Sequence, residues 1–253
     1  MDIVTESAQD GIAERRFDLK VGDETVPGLY WLPQGTARPR PTVLIGHGGT
    51  QHKRTEKVLG LARQLVAELG YGVVALDAPG HGDRMTEQER AEIAAISSAR
   101  EAGGPLPSAD DRRARMAAAT GQAVAEWQAL LDDLGTDPQA ADGPFGYWGV
   151  SMGTRFGVPL LAREHRFTAA VLGLNALGGR SSIQRADAEA ITIPLLFLFQ
   201  WDDELMPRSA GLELWDAFGS PEKTMHLNPG PHTGTPLFER DAAAAFFRRH
   251  LES

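Results

Sequence analysis

Phe145-Gly-Tyr-Trp-Gly-Val-Ser-Met-Gly153 is the stretch on which the reading of this chain turns. Its first four residues, Phe145–Trp148, form an apolar run too short for a helix and bounded by Gly149. Such a run reads as a buried strand. The residues that follow, Ser151–Glu164, carry a helical pattern. At the junction stands Gly149-Val150-Ser151-Met152-Gly153, a G-x-S-x-G pentapeptide. A residue displayed on a sharp strand-to-helix turn has a strained backbone. Its neighbours two before and two after must be tiny for strand and helix to approach. The helix start also favours negative charge building up nearby. Ser151 therefore reads as an exposed nucleophile, and the bland alternative is a turn serine capping a helix.

Thr42–Ile45, Val73–Leu76, Ala169–Leu174, Ile193–Phe199 and Lys223–Leu227 are further short apolar runs, each predicting a buried strand. Helical patterns alternate with them. Glu56–Leu69 sets Leu59, Val66 and Leu69 in one apolar stripe, and Val124, Trp127, Leu131 and Leu134 follow helical spacing up to Gly135. Ser209–Phe218 and Pro236–His250 complete the set. Ahead of them, Phe17–Val21 and Thr25–Trp31 alternate apolar and polar around Gly22-Asp23, which reads as an antiparallel hairpin. The pattern predicts an α/β fold, with an open, mostly parallel central sheet, an antiparallel N-terminal hairpin and helices on both faces. Gln34–Pro41 and Ala102–Asp111 look like loops. The expected organisation is one domain over 1–253, with a small helical lid or insertion at about 84–120; Gly178–Ala190 is a second lid candidate.

In such sheets the chemistry sits at the carboxyl ends of the strands. A serine hydroxyl needs a base, and on this topology nucleophile, acid and histidine follow one another along the chain. Strand Ile193–Phe199 runs into Gln200-Trp-Asp-Asp-Glu-Leu-Met-Pro207, and strand Lys223–Leu227 into Asn228-Pro-Gly-Pro-His232. Of the seven histidines, His232 lies in a Pro/Gly-rich loop just past a strand, where catalytic side chains are displayed. His226 lies within the strand itself, and His165 and His250 fall near helix ends. Spacing leaves the acid open between Asp202 and Asp203, with Glu204 more distant. An oxyanion needs two preorganised N–H groups. Met152, after the nucleophile, supplies one, and Gly49, after strand Thr42–Ile45, the other. His47 takes a mainly structural part beside them rather than direct proton transfer, with substrate contact as its second reading. Trp148 and Trp201 are candidates for the substrate pocket or the core.

The 253 residues suffice for a self-supporting core, with about 70% of the extended chain's surface buried on folding. The absence of cysteine excludes disulfides, thiolate zinc sites, iron–sulfur clusters and a cysteine nucleophile. A net charge of −9 and the lack of a basic stripe with interleaved aromatics argue against nucleic acid. No apolar run reaches the roughly 18 residues of a membrane helix. The first residues, MDIVTESAQDGIAERR, do not read as a signal peptide. A cytoplasmic location without membrane partners is the expectation.

Gly46-His-Gly-Gly49, Asp77-Ala-Pro-Gly-His-Gly82, Gly149-Val-Ser-Met-Gly153, Asp203-Glu-Leu-Met-Pro207 and Pro229-Gly-Pro-His232 together resemble the α/β-hydrolase superfamily, in its order and over nearly the whole chain. The branch they resemble is that of the dienelactone-hydrolase and prolyl-oligopeptidase-like esterases. That branch commonly writes G-x-x-D-x-x-V-P around its acid, so Pro207 selects Asp203, with Gln200 in place of the glycine. The nucleophile is serine rather than the cysteine of dienelactone hydrolases proper, and Thr154 replaces a second glycine after Gly153. Pro159 inside the following helix should kink it or mark its end.

The resemblance implies a serine carboxylic-ester hydrolase for small, mainly short-chain acyl substrates, without metal or organic cofactor. Its triad would be Ser151, His232 and Asp203. The same residues would serve thioester, lactone or amide hydrolysis, or perhydrolysis. The remote alternative is a hydrolase scaffold that only binds. The expected partners are a small ester and, at most, a second copy in a homodimer.

Overall fold

A computed structural model describes residues 1–35, 39–91, 94–95, 109–178 and 183–252, with backbone only at 109–113. Among the described residues nine strands form one sheet: β1 (Asp2–Gln9), β2 (Ile12–Val21), β3 (Glu24–Pro33), β4 (Thr42–Gly46), β5 (Gly72–Leu76), β6 (Phe145–Val150), β7 (Phe167–Gly173), β8 (Leu195–Gln200) and β9 (Lys223–Asn228). They lie in the order β1-β2-β3-β5-β4-β6-β7-β8-β9. The pairs β1–β2, β2–β3 and β3–β5 are antiparallel, and every pairing from β5 to β9 is parallel. The expected sheet is thus present, with one addition. Strand β1 is exposed along its whole length, so burial imposes no alternation on its sequence.

Both faces are covered. On one, α1 (Glu56–Leu69) and the C-terminal helix Phe238–Leu251 bring Val58, Leu61, Leu65, Ala243 and Phe247 against Val43, Ile45, Val73 and Val171. On the other, Ala109–Leu134, Met152–Leu161, Arg185–Glu189 and Arg208–Ala217 bury Trp127, Leu131, Val158, Ala188 and Leu214 with Leu44, Tyr147 and Phe197. Strand β4, fully buried, is sandwiched between β5 and β6, as a continuous Val/Leu/Ile run requires.

Two expectations need correction. The loop expected over Ala102–Asp111 gives way to helix from Ala109. Alanine and arginine, frequent along this stretch, are good helix formers. Pro159 does not end its helix, which runs on to Leu161. The lid expected at about 84–120 lies in large part outside the described residues, as do positions 179–182 of the second candidate. Among the described residues no helix is long and apolar enough to cross a membrane.

Strand register sets the stage for a site. Gly46 lies level with Gly149, Val150 with Gly173, and Gln200 with Asn228. The carboxyl ends of β4, β6, β7, β8 and β9 therefore share one rim.

Candidate active site

At this rim the chain leaves β6 through Ser151, which has φ 57° and ψ −113°. Positive φ is costly for a residue with a side chain, on the order of 1–3 kcal/mol, and persists only where the surroundings impose it. They do so by close approach. A Cβ on Gly149 would stand 2.8 Å from the Gly153 carbonyl carbon, and one on Gly153 would stand 2.2 Å from the Gly46 carbonyl oxygen. Hydrogen bonds complete the hold. Ser151 N–H donates to Gly173 O at 2.8 Å, and Asn175 Nδ2 donates to Ser151 O at 2.6 Å. The Thr154 hydroxyl accepts from Gly173 N–H at 2.8 Å and lies 2.7 Å from Gly149 O. Thr154 thus ties the turn to β7 where a second glycine was expected.

Ser151 Oγ lies 2.9 Å from His232 Nε2, and His232 Nδ1 lies 2.7 Å from Asp203 Oδ2. The carboxylate fixes the Nδ1–H tautomer, which leaves Nε2 to accept the serine proton. Both partners are buried. Burial resists ionisation of Asp203. Bonds from His232 and from the N–H groups of Met206 and Leu205 outweigh it, and the carboxyl stays below its usual range.

The neighbouring acids hold the loop rather than the ring. Asp202 Oδ2 accepts Gly230 N–H at 2.9 Å, and Glu204 Oε2 accepts His232 N–H at 2.9 Å. Gln200 Nε2 reaches the carbonyls of Pro229 and Pro231 at 3.3 and 3.4 Å. His226 is not part of this group and pairs with buried Glu239 at 2.8 Å.

The loop after β4 faces the serine from the other side. A Cβ on Gly49 would lie 3.9 Å from Met152 Cβ, so the two backbone segments are neighbours. His47 is buried behind them. Ala78 N–H donates to its Nε2 at 3.0 Å, and Nδ1 lies 2.8 Å from Gly48 O. Burial pushes this imidazole down from 6.5 to about 4. His47 therefore stays neutral, with both nitrogens engaged by backbone. Substrate contact, its second reading, is not what the geometry provides.

Lys53, which no motif singles out, is buried against Asp77 and also pairs with Asp83 at 2.6 Å. Asp77 further accepts Lys53 N–H at 2.9 Å and Asp83 N–H at 2.8 Å. This cluster locks the loop after β4 to the loop after β5.

Ser151 and His232 open into a cavity of about 540 Å³, walled in part by Leu61, Trp148, Val150, Leu174 and Leu198. Trp148 thus has the pocket position expected of it, while also packing in the core. Trp201 does not line the cavity. It is 45% exposed, and the Arg208 guanidinium lies 3.5 Å above its ring. Among the described residues no group of three or more histidines and acids is placed to hold a metal ion.

No family model matches the chain, and no curated protein does. Solved structures do. A cold-adapted esterase from an Arctic intertidal metagenomic library, in its PEG-bound complex, shares 34% identity over 99% of this chain and 100% of that one, with a TM-score of 0.80. The chain belongs to the α/β-hydrolase family. The dienelactone hydrolase of Anabaena variabilis has the same fold at 17% identity, over 95% of this hydrolase and 99% of that chain, with a TM-score of 0.69. The acylaminoacyl peptidase of Pyrococcus horikoshii matches at 18% identity over 96% of this hydrolase and 43% of that chain, with a TM-score of 0.66. With esterases matching at 31–34% identity over 98–99% of its length, this hydrolase is of the esterase type.

Proposed function

We propose that this hydrolase cleaves carboxylic esters of small acyl substrates through a covalent acyl-enzyme on Ser151. The observation that carries the reading is the continuous relay from Ser151 Oγ to His232 Nε2 at 2.9 Å and from His232 Nδ1 to Asp203 at 2.7 Å. Ser151 Oγ attacks the ester carbonyl while His232 Nε2 takes its proton. Asp203 stabilises the imidazolium that results. The N–H groups of Met152 and Gly49 receive the oxyanion, the first at a helix start and the second on the loop braced by His47. The tetrahedral intermediate collapses, and His232 returns the proton to the leaving alkoxide. Water then attacks the acyl-enzyme with His232 as base, which frees the acid and restores Ser151. The apolar walls and modest volume of the cavity favour short acyl chains over folded protein substrates.

A p-nitrophenyl ester series from acetate to dodecanoate tests this reading, with wild type and Ser151→Ala side by side. The expectation is a short-chain optimum that the substitution lowers by about 10⁴ or more. Equal rates in the two proteins would overturn it.

A further inference from the structure

Ester cleavage as described leaves Arg240 without a task. Arg240 lies in the first turn of helix Phe238–Leu251 and lines the same cavity as Ser151. Its placement is accommodated by α1. A Cβ on Gly60 would stand 2.1 Å from Arg240 Nη1, so the guanidinium occupies the space a side chain at position 60 would need. Glycine within a helix costs about 1 kcal/mol relative to alanine, and here its missing side chain is what admits the cation.

The guanidinium is also underused. Its Nε is buried without a hydrogen-bond partner, as is the hydroxyl of Thr235 on the same wall. The nearby acids do not neutralise it. Glu239 is held by His226 at 2.8 Å and Asn228 at 2.7 Å. Glu56 approaches the same side of Gly60 without forming an ion pair with Arg240. Lys57, the other cation on this wall, reaches Thr233 O at 3.2 Å. Buried donors without partners await acceptors, and a planar guanidinium fork matches a carboxylate. The cavity wall carries two cations, Lys57 and Arg240, and two acids, Glu56 and Glu239, so an anion would be drawn by the local geometry of Arg240 and not by a net charge of the wall.

We propose that Arg240, with Thr235, forms an anion subsite that selects small esters carrying a free carboxylate. This inference rests on the serine-ester reading of the same cavity. The uncharged part of the substrate lies against Trp148 and Leu198, and the carboxylate meets Arg240.

Paired substrates test it. Monoethyl adipate carries a carboxylate on its acyl part, and ethyl hexanoate is its neutral counterpart. The anion of 6-acetoxyhexanoic acid carries one on its alcohol part, and hexyl acetate is the neutral counterpart. The readout is the ratio of kcat/KM within each pair, followed by pH-stat. Wild type should favour the charged member of at least one pair by about tenfold or more. Arg240→Gln should bring that ratio to one or below, and Arg240→Lys should restore part of it. An arginine that only packed helices together would lower both members equally and leave the ratio unchanged. That outcome, or a wild-type ratio of one in both pairs, overturns the proposal. If wild type cleaves none of the four, the p-nitrophenyl series decides the serine-ester reading, and calorimetry with adipate decides the subsite. Binding lost in Arg240→Gln supports it; equal binding in both proteins, or none, overturns it.

Discussion

The turn Gly149–Thr154 and the arm that carries His232 meet at one hydrogen bond, yet they are held by different forces. The turn is held by contact. Its glycines touch backbone at Gly46 and at each other, and Ser151 is pressed into positive φ between them. The arm is held by charge. Three consecutive acids, Asp202, Asp203 and Glu204, each grip a different point on the loop Pro229–His232. Contact tolerates no added atom, whereas charge-assisted bonds can be weakened one at a time.

Substitutions should separate the two regions. The largest effect on the fold is expected at Gly153→Ala, whose Cβ would stand 2.2 Å from the Gly46 carbonyl. Ester hydrolysis should fall by about 10³ or more, and circular dichroism melting should show a lower Tm. A Gly153→Ala protein with wild-type activity would show that contact does not hold the turn. Asp203→Asn should cost about 10⁴ in kcat by freeing the wrong histidine tautomer, by analogy with the same change in a serine protease. Asp202→Asn keeps an acceptor for Gly230 N–H and should stay within about tenfold of wild type. Equal losses at the two positions would refute the division of labour among the acids.

A fourth substitution probes the loop behind Gly49 through pH. His47 is neutral in the folded protein, with its value lowered from 6.5 to about 4. The unfolded chain therefore binds the proton first as pH falls, and stability is lost between pH 6.5 and 4. His47→Gln removes this titration. Urea unfolding across that range should give a flatter pH profile than wild type, by up to about 3 kcal/mol. The smallest effect is expected at Glu204→Gln, since Glu204 is exposed and its amide still accepts His232 N–H. Activity within about threefold is the expectation, read from kcat/KM.

The same contrast explains what the sequence made legible. Steric demands leave residue-type signatures, so the turn around Ser151 is readable from its glycines once they stand between an apolar run and a helical pattern. Hydrogen-bond demands leave weaker ones. Asp202 and Asp203 both follow β8 and both bind the histidine loop, and only the direction of each side chain assigns the ring to Asp203. Pro207 pointed to Asp203 through family resemblance, not through spacing. Trp201, a candidate for pocket or core, is in neither: it lies at the surface under Arg208. Lys53, Asn175 and Arg240 went unnoticed because their roles depend on segments distant in sequence. Lys53 meets Asp77, Asn175 meets Ser151 O, and Arg240 lies over Gly60. The strand order was legible wherever burial enforced an apolar run, and β1 was missed because nothing buries it.

The central claim is that Ser151 is a nucleophile activated by His232. Labelling with a fluorophosphonate, followed by peptide mass spectrometry, tests it most directly. The account predicts one stoichiometric adduct on the peptide containing Ser151, lost in Ser151→Ala and slowed by about 10³ or more in His232→Ala. An adduct elsewhere, or labelling that persists at the same rate in His232→Ala, would contradict it.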